Sequence, residues 1–137
     1  MLSDPARVVV QRRVEWMDTD AAGIYHWTTA FRFAESAEAA LHTALGVADV
    51  TFGATPRVHV SADFSRALVF NEIVDVELAV LAVGRTSVEY ALVITGDSGV
   101  AAAGTIKACF IDRATGRAVP WPDEVRERLS RGGLQAA

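Results

Sequence analysis

Two carboxylates separated by one residue, Asp18 and Asp20, stand immediately before Ala21-Ala22-Gly23 and the start of a long apolar periodicity. A helix N-terminus carries unpaired N–H groups with partial positive charge and favours an anion. A carboxylate beside such a terminus, with Gly23 permitting close backbone approach, supplies the two halves of acyl transfer. One is a base or nucleophile, and the other is a set of donors for a developing oxyanion. Asp near a helix start is also an ordinary loop or helix cap. On the residues alone that plainer reading stands ahead.

The elements that must position this segment can be read from the pattern. Val8 to Trp16 is rich in β-branched residues and predicts a strand; Met17 to Gly23 breaks it as a loop. From Thr28 the period changes. Ala30, Phe33, Ala34, Ala37, Leu41, Ala44 and Leu45 mark one face of a helix, which Thr28 or Thr29 can cap and Gly46 can end. The four Ala on that face would let its axis approach a sheet closely. His42 falls off the stripe and reads as surface or interface.

Strands follow at Arg57–Ser65, Ile73–Val83, Ser87–Thr95 and Val100–Ile111, with Gly96-Asp97-Ser98-Gly99 as a hairpin turn. Pro120-Trp121-Pro122 leads into a short helix from Asp123, and Gly132 onward reads as a frayed tail. Trp16, Phe110 and Trp121 read as core or interface filling. The order predicts one α+β domain over residues 1–137: a single long helix against a five-stranded antiparallel sheet, with a short C-terminal helix. One helix cannot cover both faces of such a sheet, and its strands are too apolar for a wet face. Pairing of protomers is the expected remedy.

Composition narrows the class. A hydrophobic fraction of 51% in 137 residues is ample for a core, and a formal net charge of -4 without any Lys/Arg cluster argues against nucleic-acid binding. The single Cys109, in a strand, reads as a buried thiol, and three His with one Cys give no zinc spacing. No metal or separate cofactor is expected. The stretch Met1–Arg7 lacks the charged-then-apolar pattern of a signal peptide, and no apolar run is long enough to span a membrane, so a cytoplasmic protein is expected.

The stretch Val14 to Ile24, with Asp18-Thr19-Asp20-Ala21-Ala22-Gly23 at its heart, and the following Phe31-Arg32-Phe33-Ala34-Glu35 resemble the signature of the 4-hydroxybenzoyl-CoA thioesterase family, which includes acyl-CoA thioesterases associated with the Tol–Pal region. Ser61-Ala62-Asp63-Phe64, Val83 to Ser87 and Asp112 to Arg117 resemble later family landmarks in the same order. The resemblance implies a hot-dog fold, in which the sheet wraps the long helix, and hydrolysis of acyl-CoA. It makes Asp20 the catalytic carboxylate, as nucleophile or as base for water, and the backbone N–H of Trp27 the oxyanion donor. Asp18 would order the loop, and CoA would enter only as part of the substrate.

It further implies a homodimer or homotetramer whose sites take residues from both protomers. Gly23, Tyr25, Phe31 and Ser61 would meet the acyl group or attacking water, and Arg85, Thr86 and Ser87 the pantetheine or phosphates of CoA. The run Tyr25-His26-Trp27-Thr28-Thr29 departs from the aromatic pattern of relatives. His26 could polarise the carbonyl or orient water, or simply pack or cap. Phe64-Ser65-Arg66 also lacks a Pro that relatives often carry. Two other readings stay open: release of acyl chains from an acyl carrier protein, and a non-catalytic acyl-CoA binding module. A dehydratase or hydratase of the same fold lacks its expected Asp-x-Asn-x-x-His type of motif.

Overall fold

The computed structural model describes residues 4–137; Met1 to Ser3, part of the stretch read above for a leader, lie outside the described residues. Strand β1 (Arg7–Arg13) leads to a single 3-10 turn, Trp16–Asp18, and then to α1 (Thr29–Ala44) and α2 (Ala48–Thr51). Strands β2 (Arg57–Phe64), β3 (Ile73–Val83), β4 (Ser87–Gly96) and β5 (Gly99–Cys109) follow, and α3 (Asp123–Ser130) and β6 (Leu134–Gln135) close the chain. The sheet order is β2-β5-β4-β3-β1-β6.

Two expectations are corrected here. The sheet has six strands and is not wholly antiparallel, because Leu134 and Gln135 pair in parallel with Arg7 and Val8. The segment read as a frayed tail is therefore tied down, with Arg7 N–H donating to Gly133 O at 3.0 Å. Nor is there one helix with a short companion: α1, of 16 residues, is joined by both α2 and α3.

The register explains the core. Val76 pairs with Ile94, Leu78 with Leu92 and Val80 with Tyr90, while Ile94 and Tyr90 face Ala102 and Ile106 on the next strand. Because side chains alternate across a strand, these residues share one face. They are buried together with Ala30, Phe33, Ala34, Ala37 and Leu41 of α1, so the apolar stripe is the packed face of the helix. Gly46, at φ +73°, ends α1 in the left-handed region that glycine adopts without a Cβ penalty.

Strand β2 is one edge of the sheet. It pairs with β5 on one side only, and Val58, Val60 and Phe64 are exposed along it. An edge of this length with apolar side chains is a template for further pairing. Among the described residues no helix is long and apolar enough to cross a membrane.

Candidate functional site

The loop between β1 and α1 is organised around Asp18. Its carboxylate is buried and accepts the Glu15 N–H at 2.7 Å on one oxygen and the Arg32 guanidinium on the other. Its carbonyl accepts the N–H of His26 at 2.6 Å and the Thr29 hydroxyl at 3.2 Å. Asp18 thus ties the 3-10 turn to the start of α1.

Asp20 faces outward. Its Oδ1 accepts the Ala22 N–H at 2.8 Å, its N–H bonds Ile24 O at 2.9 Å, and its carbonyl accepts the Gly23 N–H at 3.0 Å. This tight turn needs Gly23 at φ +81°. The carboxylate borders a cavity of about 350 Å³ whose wall includes Tyr25, Trp27, Phe64 and Arg66. Tyr25 is buried there, and its hydroxyl meets no hydrogen-bond partner among the described residues. Burial raises its pKa above the ordinary phenol value.

The backbone donors leading into α1 are nearly all spent. Tyr25 N–H bonds Leu68 O and His26 N–H bonds Asp18 O; Thr28 N–H bonds the His26 ring at 3.2 Å; the N–H groups of Thr29, Ala30, Phe31 and Arg32 bond carbonyls three or four residues back. Among the described residues only the N–H of Trp27 in this run has no acceptor, and Trp27 lines the cavity beside Asp20. Trp27, whose N–H is unpaired, and the exposed Asp20 therefore line one cavity.

His26 belongs elsewhere. Its Nδ1 accepts the Thr28 N–H and lies 2.7 Å from the Thr28 hydroxyl, and the ring stacks on Trp27 at 5.9 Å. It lines a different depression, with Met17, Thr19 and Arg32, so it is not brought to the Asp20 cavity within the chain. Phe31 packs edge-on against Trp27 at 6.1 Å. Ser61 projects from the face of β2 opposite Val60 and Phe64, and its hydroxyl lies 3.0 Å from that of Thr105. Arg85, Thr86 and Ser87 form the β3–β4 turn, at the Cys109 end of β5 and the far end of the sheet from Phe64.

A second cluster carries chemistry that the sequence pattern does not reveal. Glu38, on α1, is buried with one carboxyl oxygen held by Arg57 at the head of β2 and the other, Oε2, enclosed without a hydrogen-bond partner among the described residues. Burial raises its pKa, opposed by Arg57 and by the nearby Tyr90 hydroxyl. His42, one turn further on, is fully buried, and burial, with Arg57 adding to it, lowers its pKa to about 4. Its Nδ1 lies 2.6 Å from the Thr51 hydroxyl and its Nε2 2.7 Å from the Tyr90 hydroxyl. Each ring nitrogen thus faces a hydroxyl inside the core, and the Thr51 hydroxyl also lies 3.1 Å from Val47 O.

The expectation of a surface or interface His42 is thus corrected: both ring nitrogens are satisfied internally. A cavity of about 670 Å³ lies beside Glu38 and Arg57, bounded by Ala39, Phe52, Pro56 and Ile111. Glu38 and His42, four apart and flanking the apolar stripe, were the available signal. Among the described residues no three His, Cys, Asp or Glu gather as they would around a metal.

A family model described as the thioesterase-like superfamily matches residues 14–129. The chain belongs to that superfamily. Solved structures of similar shape accompany this thioesterase-like chain. A predicted thioesterase from Bacillus stearothermophilus is 21% identical with a TM-score of 0.83, over 93% of this chain and 98% of that one. A gentisyl-coenzyme A thioesterase is 25% identical with a TM-score of 0.79, over 88% and 98%. A DHNA-CoA thioesterase from Staphylococcus aureus is 18% identical with a TM-score of 0.82, over 89% and 87%. A comparison with curated protein sequences returned no match. With its relatives, the thioesterase-like chain is of the hot-dog type, and its sheet ends in the short parallel strand β6.

Proposed function

We propose that the protein hydrolyses acyl-CoA thioesters to the free acid and CoA, with Asp20 driving attack and the Trp27 N–H receiving the oxyanion. The observation that carries this is that Trp27, with its unspent N–H, and Asp20 line one cavity. A fixed donor aimed at developing charge stabilises the tetrahedral intermediate without reorganisation. Asp20 acts either by taking a proton from water or by attacking the carbonyl itself; in both courses water supplies the hydroxyl of the acid and a proton reaches the departing sulfur. Names among the similar structures, gentisyl-coenzyme A and DHNA-CoA thioesterase, support CoA esters as the substrate class.

The functional unit in this reading is a pair of protomers joined along β2, as dimer or as half of a tetramer. Antiparallel pairing of β2 with its copy sets the Arg57 end of one strand beside the Phe64 end of the other. The β3–β4 turn with Arg85, Thr86 and Ser87 lies at the Arg57 end, which brings it toward the partner's Asp20 cavity and the CoA moiety.

The experiment is hydrolysis of a panel of acyl-CoAs by the wild type and by Asp20→Asn. The expected result is turnover by the wild type and loss of about a thousandfold in kcat for the variant, with CoA-ester binding retained. Full activity in Asp20→Asn removes the catalytic assignment. Binding without turnover in the wild type favours a non-catalytic module, and turnover only on carrier-protein thioesters favours the carrier-protein reading.

A further inference from the structure

The cavity lined by Asp20 is walled by two segments that a backbone bond clamps together. Tyr25 and Trp27 come from the entry to α1, and Phe64, Arg66 and Ala67 from the chain leaving β2. Tyr25 N–H donates to the carbonyl of the buried Leu68 at 2.8 Å. At the other end of the second segment, the N–H groups of Ser65 and Arg66 both donate to Ala101 O, at 2.8 and 3.3 Å. The backbone of Arg66 is thus held at the cavity while its side chain stays exposed. Arg32 and Arg57 are spent on Asp18 and Glu38, but among the described residues no carboxylate pairs with the Arg66 guanidinium. We infer that Arg66 determines specificity by selecting acyl groups that end in a carboxylate, as in the mono-CoA thioesters of dicarboxylic acids. This rests on the thioesterase reading, which sets the thioester at Asp20 and Trp27.

The residues of the wall select the ligand. Tyr25, Trp27 and Phe64 give it an aromatic lining, with the Tyr25 and Phe64 rings 6.4 Å apart, and such a lining suits methylenes. Asp20 and Arg66 are its charged residues. Asp20 is committed to the thioester carbonyl in this reading, which leaves Arg66 for the rest of the acyl group. A cationic end would be repelled by Arg66 and would pair with Asp20, quenching the group that drives attack. An uncharged end gains nothing from a guanidinium. A carboxylate meets it through two parallel N–H···O bonds, each stronger than a bond between neutral groups. The phosphates of CoA are a second source of negative charge, but they lie beyond the pantetheine arm. A cavity of about 350 Å³ that holds the thioester leaves them outside.

The test measures kcat/KM on two matched pairs: adipyl-CoA against hexanoyl-CoA, and suberyl-CoA against octanoyl-CoA, with uncatalysed hydrolysis subtracted. The expected result is a preference of about tenfold or more for the carboxylate member of at least one pair. The pair with the larger ratio reports the chain length that reaches from Asp20 to Arg66. In Arg66→Gln the ratio should fall close to unity, and in Arg66→Glu it should invert, because a carboxylate then faces a carboxylate. A melting curve for each variant reports folding. The wild-type ratio should also shrink as KCl rises, since salt screens an exposed ion pair, and this measurement needs no variant.

Turnover without preference in either pair, or a preference that survives in both folded variants or is indifferent to KCl, overturns the inference while leaving the thioesterase reading intact. Absence of turnover on all four esters overturns the reading, and the inference with it. The matching pantetheine thioesters, which lack the phosphates, separate the two sources of negative charge. If Arg66→Gln lowers kcat/KM equally for both members of each CoA pair and has no such effect on the pantetheine esters, Arg66 holds the phosphates of CoA and the inference falls.

Discussion

The Arg32 guanidinium, in the first turn of α1, closes on the buried carboxylate of Asp18, fourteen residues earlier in the chain. The half-exposed arginine thereby locks the loop that presents Asp20 onto the helix whose entry presents the Trp27 N–H. Asp18→Asn removes the charge but keeps an acceptor for the Glu15 N–H. The expected loss is about 1–2 kcal/mol of stability, limited by solvent around Arg32, with a smaller loss of kcat than Asp20→Asn produces. Urea unfolding and steady-state kinetics on the same samples check this. An unchanged midpoint with abolished turnover would reverse the roles given to the two carboxylates.

The burial of His42 predicts a pH dependence of stability. Its folded pKa is lowered to about 4, from an ordinary value of 6.5. The unfolded chain therefore takes up the proton first as pH falls. The contribution is fully present above about pH 6.5 and is lost as pH falls from there through about 4; it amounts to about 3 kcal/mol. Glu38, whose pKa is raised by burial, works in the opposite sense, because its folded state favours the neutral form. Unfolding free energies at pH 7 and pH 4.5 should differ more for the wild type than for His42→Gln. Equal differences in the two proteins would show that His42 is not the group responsible.

Much of this was legible in the sequence, and what was not has physical reasons. Asp18 to Gly23 announces a loop at a helix entrance through residue types that act locally, and the alternation of β3 to β5 announces its own register. Strand β6 is two residues after a Gly pair; its pairing with β1 depends on where α3 delivers it, which no periodicity encodes. His42 reads as polar and hence outward, yet its Nε2 partner, Tyr90, lies 48 residues away on β4. Trp16, expected to fill core or interface, lies outside the core of the chain, 74% exposed, because β1 ends before it and the 3-10 turn carries it outward against Phe70.

His26 separates a structural from a chemical role. Its Nδ1 receives the Thr28 N–H and so caps the entry to α1, where no side chain of Thr28 does. His26→Asn offers a shorter acceptor at a position suited to capping. The expected outcome is a loss of about 1 kcal/mol in stability and less than about tenfold in kcat. A group that transfers a proton to the reacting atoms contributes about 100-fold or more. A drop of that size in kcat, with the melting temperature unchanged, would instead place the imidazole on the thioester.

Gly104 tests whether the edge strand must lie where it does. It faces Ala62 on β2 and Leu92 on β4, and a Cβ added to it would lie 1.9 Å from the Ser61 carbonyl oxygen and 2.8 Å from the Ala62 Cα. Both obstacles are backbone, so no side chain can swing aside and β2 itself must move. That movement would displace Phe64 at one end and Arg57 at the other, disturbing both cavities together. Gly104→Ala should therefore cost about 3 kcal/mol and lower turnover, with faster amide exchange along β2 than elsewhere in the sheet. Gly116→Ala supplies the comparison. It lies at φ +73° with nothing within 4 Å of the added atom, so only backbone strain of about 1 kcal/mol opposes it. If the two substitutions destabilise the protein equally, close approach of β2 to β5 is not what demands glycine at position 104.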